Sequence, residues 1–184
     1  MGHIIFISGG VRSGKSSLAE KIAASKRQPG QPLIYLACGI DTDPEMRRRI
    51  QKHQHDRQLS DESWQTIECS GSLHEVVDSI PPDSIVLLDC VTTLLTNIMF
   101  APDGKNGEEA YVDICQSIKM LMHKVRILVV VSNELFSDFP PEHKDVLSFL
   151  KILGSIHRSI VGLSTISIDM SAGIPDVKKG VLSL

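Results

Sequence analysis

Short apolar runs alternate along the chain with stretches whose apolar positions recur at helical spacing, a β-then-α order. Ile4-Ile5-Phe6-Ile7 opens a buried strand over residues 4–8. Lys15 to about Lys26 follows as a helix, with Leu18, Ile22 and Ala23 on one side, and Pro29-Gly30-Gln31-Pro32 breaks it. Leu33 to Ala37 is a second strand. Asp43-Pro44-Glu45 starts a helix through Arg57 that has so few apolar positions that it should be largely exposed. Trp64 to Cys69 alternates as a strand, a short helix runs from about Leu73 to Ser79, and Ser84 to Asp89 is a strand ending in a carboxylate. A helix begins at Cys90-Val91-Thr92-Thr93. Residues 101–107 read as a mobile, turn-rich loop, and Glu108 to Lys124 as a helix with Ile114, Ile118 and Leu121 inward. Arg126 to Ser132 is a strand ending in Asn133-Glu134. After Pro140-Pro141, Glu142 to Val161 forms a long amphipathic helix and Thr165 to Met170 a last strand, with a turn and a basic tail beyond. Strands separated by helical connections predict an α/β fold with a mainly parallel sheet flanked by helices.

Length and charge narrow the picture. The 184 residues suit one domain, 1–184, with no internal repeat or low-complexity segment. A net charge of −3, with basic residues scattered apart from Arg47-Arg48-Arg49, argues against nucleic acid as a partner. Cys38, Cys69, Cys90 and Cys115 stand singly with no C-x-x-C spacing, as expected of reduced cytoplasmic thiols. No apolar stretch reaches the roughly eighteen residues a membrane span needs, so a soluble protein is expected.

The chemistry lies first in Gly9-Gly10-Val11-Arg12-Ser13-Gly14-Lys15-Ser16, which fits G-x-x-x-x-G-K-[ST] between a strand and a helix. Backbone N–H groups of such a P-loop converge on phosphate, the helix N-terminus adds its positive end, Lys15 reaches the outer phosphates and the Ser16 hydroxyl can ligate Mg²⁺. Asp89, at the end of an apolar strand, is the expected partner of the metal's water shell beside the P-loop, although a helix-capping role is the simpler alternative. Glu134 divides evenly between a cap and a functional group. The fold expected is that of a RecA-like P-loop NTPase. A kinase, another phosphotransferase acting on a small hydroxyl compound and a non-catalytic nucleotide-binding regulator would all carry this loop.

The order of motifs resembles the bifunctional adenosylcobinamide kinase/adenosylcobinamide-phosphate guanylyltransferases of cobalamin assembly. Residues 9–16 match that family's Gly-Gly-x-Arg-Ser-Gly-Lys-Ser. Glu45-Met46 with Arg49-Ile50-Gln51-Lys52-His53 matches its Glu-Met…Arg-Ile-x-x-His helix, and Trp64 to Glu68 resembles Trp-Arg-Thr-x-Glu. Leu87 to Asn97 resembles Leu-Leu-Glu-Cys-Ile-Thr-Thr-x-x-Thr-Asn, and Ser132-Asn133-Glu134 resembles Thr-Asn-Glu. The resemblance implies phosphorylation of the aminopropanol hydroxyl of a corrinoid, cobinamide, by ATP or GTP with Mg²⁺. GMP then passes from GTP to that phosphate through a guanylylated histidine, which is His53 here; His55 competes for the role two residues on. It also implies nucleotide contacts at Ala37, Cys38, Gly39, Gln54, His55, Asp56, Arg57, Glu68 and Asp89, and a homotrimer. The last third departs from the pattern. Phe136 and Asp138 replace glycines, and Leu147, Leu150, Lys151, His157 and Arg158 replace an Arg-x-x-Arg-Asp run and an Asn-Gln pair. Lost guanidinium and amide donors would weaken recognition of a phosphorylated corrinoid arm.

Overall fold

The computed structural model describes residues 2–39, 47–48, 51, 55, 62–137 and 143–182. Its strands are β1 (His3–Gly9), β2 (Leu33–Ala37), β3 (Trp64–Glu68), β4 (Ile85–Asp89), β5 (Ile127–Asn133), β6 (Ile166–Asp169) and β7 (Asp176–Lys179). Helices α1 (Lys15–Ser25), α2 (His74–Val77), α3 (Val91–Phe100), α4 (Gly107–Lys124) and α5 (Lys144–Leu163) cover them. The strands join one sheet in the order β3-β2-β4-β5-β1-β6-β7. Every pairing is parallel except β6 with β7. The mainly parallel α/β fold is therefore as the pattern predicts.

Alternation along the strands divides the core. Ile4, Phe6, Ile34, Leu36, Val86, Leu88, Leu128 and Val130 face α2, α3, α4 and α5, whereas Ile5, Ile7, Leu33, Tyr35, Ile85, Leu87, Val129 and Val131 lie on the side of α1. Both faces are dry, which explains why the inner strands read as unbroken apolar runs. Each such side chain removed from water contributes about 1.5–3 kcal/mol before chain entropy is counted.

Three local expectations change. The supposed basic tail pairs antiparallel with β6 as an edge strand, because the turn at Gly173 (φ 74°) reverses the chain and leaves Lys178 and Lys179 on the open edge. The loop before α4 is anchored rather than loose. Lys105 reaches buried Asp113 at 2.6 Å, and Asn106 caps α4 by accepting from the N–H groups of Glu108 and Glu109 while Glu109 reaches back to the Asn106 N–H. Finally, α5 is 20 residues long, and one 18-residue window within it has a mean hydropathy of 1.4, so by length and composition alone this helix could cross a membrane. Here it lies along the sheet and buries Phe149, Leu153, Ile156 and Ile160.

Candidate nucleotide site

The P-loop leaves β1 at Gly9 and enters α1 at Lys15. Gly9 must be glycine: an added Cβ would stand 2.8 Å from both Met170 Cβ and Ser13 Oγ. Gly14, at φ 83°, takes a left-handed turn at the helix N-cap and leaves the first N–H groups of α1 without a side-chain cap. Those donors and the helix dipole face the mouth of the loop, which suits an anion. A Cβ on Gly10 would meet nothing within 4 Å, so the loop encloses open space, and the buried Ser13 hydroxyl has no hydrogen-bond partner. Buried Lys15 curls back so that its Nζ donates to Gly10 O at 2.8 Å. The cradle thus fits a polyphosphate.

Asp89 ends β4, and β5 lies between that strand and β1, which leads into the loop. Two strand spacings put those strand ends about 10 Å apart, enough for phosphate oxygens and a hydrated cation between them. The Tyr35 hydroxyl donates to Asp89 Oδ2 at 2.9 Å and fixes the carboxylate. Burial pushes the Cys90 thiol upward, an effect reinforced by Asp89 and opposed by the Lys15 ammonium, so lysine and carboxylate act on one locality. Among the described residues no group of three or more His, Cys, Asp or Glu side chains is arranged as a metal cage. The hydroxyl of Ser16 and the carboxylate of Asp89 are hard oxygen donors of the kind Mg²⁺ takes alongside phosphates and waters.

The other predicted residues divide. Cys38 N–H donates to Asp89 O at 3.1 Å and its carbonyl accepts from Asn97 Nδ2 at 2.9 Å, while the Ala37 carbonyl accepts from Cys69 N–H. The polar backbone of Cys38 is therefore already engaged. Glu68 is exposed at the end of β3, paired in register with Ala37. His55 is helical and exposed, as are Arg47 and Arg48. His53, Gln54, Asp56 and Arg57 lie outside the described residues, as does Asp138. The thiols of Cys38, Cys69 and Cys90 are all raised by burial, Cys69 to about 11, which keeps them protonated and unreactive.

Sequence reasoning missed what surrounds β5. Glu134 N–H donates to Gly9 O at 2.9 Å, and its carboxylate accepts from Phe136 N–H and from Ser137 Oγ at 2.8 Å, which makes it the organiser of the 134–137 turn. Phe136 stands edge-on to His157 with centroids 5.6 Å apart and lies over Gly154. Two replacements noted as separate departures thus pack on each other. Leu147 and Arg158 are exposed.

The profile of the cobinamide kinase / cobinamide phosphate guanyltransferase family matches residues 5–177. The chain belongs to this family. It is 31% identical over 169 residues to the bifunctional adenosylcobalamin biosynthesis protein CobU of Salmonella typhimurium, covering 85% of this chain and 89% of that one. It is 29% identical over 175 residues to the bifunctional adenosylcobalamin biosynthesis protein CobP of Pseudomonas aeruginosa, covering 95% and 96%. Solved structures support the RecA-like P-loop fold alone. An ATPase domain superposes with a TM-score of 0.54 at 15% identity over 91% of this chain and 68% of its own. The flagellar accessory protein FlaH of Methanocaldococcus jannaschii gives 0.53 at 16% identity over 97% and 79%. As a member of this family the chain is a bifunctional transferase of cobalamin assembly. A phosphotransferase for another hydroxyl compound and a non-catalytic nucleotide binder are not favoured.

Proposed function

We propose that one domain, 1–184, carries both reactions at the carboxyl edge of the sheet. In the first, the aminopropanol hydroxyl of adenosylcobinamide attacks the γ-phosphorus of ATP or GTP, loses its proton and expels the nucleoside diphosphate. Lys15 neutralises charge on the transferred group, while the loop N–H groups orient it. Ser16 and Asp89 would hold Mg²⁺, which would supply charge compensation for the phosphates. In the second, an imidazole nitrogen of His53 attacks the α-phosphorus of GTP with pyrophosphate leaving. The phosphate of the first product then displaces histidine from that phosphorus, giving adenosyl-GDP-cobinamide and free His53. Ala37, Cys38, Gly39, Gln54, His55, Asp56, Arg57 and Glu68 are the proposed remaining nucleotide contacts. A homotrimer in the cytoplasm is the proposed working form, since the charged segment around His53 would need a surface to hold it over nucleotide.

The observation that carries this reading is the P-loop between β1 and α1, with Asp89 at the end of β4 on the far side of β5, in a chain of this family. Transfer of ³²P from γ-labelled ATP to cobinamide tests it: Lys15→Ala should fall by at least two orders of magnitude. Wild-type rates in that variant would refute the assignment.

A further inference from the structure

At the carboxyl end of β5 four polar groups form one line. Asn133 N–H donates to Thr92 Oγ1 at 2.8 Å, Thr92 Oγ1 lies 2.9 Å from Ser132 Oγ, and Ser132 Oγ lies 2.7 Å from His157 Nε2. Ser132 is fully buried and Thr92 nearly so, so both hydroxyls depend on partners inside the protein. One direction of donation uses every proton in the line. Asn133 donates to Thr92, the Thr92 hydroxyl to Ser132, and the Ser132 hydroxyl to an unprotonated His157 Nε2. The imidazole is kept neutral by burial, against the opposing pull of Glu134, and its ring is held edge-on by Phe6 at 5.2 Å and Phe136 at 5.6 Å.

The line ties together three elements that meet at the nucleotide site. Thr92 stands in the first turn of α3, three residues beyond Asp89, and His157 belongs to α5. Ser132 and Asn133 end the strand that separates the two phosphate-site elements. Asn133 pairs in register with Gly9, and Val131 with Asp89, while the next residue, Glu134, donates its N–H to Gly9 O. A displacement of the end of β5 relative to α3 therefore changes the separation between P-loop and Asp89. Among the described residues no other strand spans that gap.

We propose that His157 is a positioning residue: acting through Ser132 and Thr92, it holds the end of β5 where the P-loop and Asp89 can share one metal-bound nucleotide. It rests on the placement of nucleotide and metal at Lys15, Ser16 and Asp89 proposed above. The imidazole touches no reacting atom in this role. Phe136 serves the same end, because its ring backs the histidine edge-on.

Calorimetric titration of the full chain with ATP, in EDTA and again with Mg²⁺, tests the proposal, with amide exchange at Asn133 as a second readout. His157→Phe keeps a ring but removes the acceptor, and Ser132→Ala removes the middle link. Each should cut the Mg²⁺-dependent gain in ATP affinity by on the order of tenfold and speed exchange at Asn133, with affinity in EDTA held within about twofold. His157→Gln, whose amide can still meet Ser132, should restore both readouts. If His157→Phe does not fold, Ser132→Ala decides, since it removes a single oxygen. A full Mg²⁺-dependent gain in both variants would overturn the proposal and leave the nucleotide site standing. Equal loss of affinity with and without Mg²⁺ would overturn it in favour of a merely structural histidine. A wild-type chain that binds no ATP would overturn the site assignment and this proposal together.

Discussion

Acid should weaken the fold through His157. Burial beneath Phe6 and Phe136 lowers its pKa from the usual 6.5 to about 4, with nearby Glu134 pulling the other way. A histidine depressed in the folded state binds its proton more readily when unfolded. Its contribution to stability is whole above pH 6.5 and is lost as pH falls toward 4. Between pH values of about 7.5 and 5 the lost portion is roughly 2 kcal/mol, within a limit of about 3 kcal/mol for the whole shift. Urea unfolding of wild type and His157→Gln at both pH values isolates this histidine, since other titrating groups cancel in the comparison. Wild type should lose about 2 kcal/mol more than the variant over that interval. Equal losses would show that the folded imidazole titrates normally and that the account of its burial is wrong.

Gly9→Ala should destabilise the fold by about 1–3 kcal/mol in urea and weaken ATP binding, because the new carbon meets the backbone of Met170 at 2.9 Å as well as its side chain. Gly10→Ala has open space around it and should leave stability unchanged; a larger loss there than at Gly9 would contradict the packing. Asn106→Ala removes the side-chain half of the capping box, leaving the Glu109 carboxylate on the backbone N–H, and should cost about 1 kcal/mol in urea unfolding with ATP affinity unaltered; an unchanged midpoint would refute the cap.

Much of the fold was legible because both sheet faces are buried: a strand such as Val129 to Val131 can only read as a continuous apolar run. The P-loop was legible because its chemistry is local, one turn between one strand and one helix. Strand order is not local. The insertion of β5 between β1 and β4 is written in no single segment. The line from Asn133 to His157 was hidden for the same reason, since Thr92, Ser132 and His157 are separated by 40 and 25 positions. Edge strand β7 has all four residues exposed and carries no buried face to betray it. Phe136 and His157 stood out as departures from a family pattern, but their packing on each other required the turn that Glu134 builds.

The most direct test of the two-reaction account is covalent labelling with α-³²P GTP and Mg²⁺. The account predicts GMP bound to His53 through an acid-labile, alkali-stable P–N bond, with labelling falling away as acid protonates the imidazole. His53→Ala should lose the label yet still transfer γ-phosphate to cobinamide. A wild-type chain that never labels would contradict the second reaction, and a label that survives His53→Ala but disappears in His55→Ala would move the nucleophile two residues along the helix.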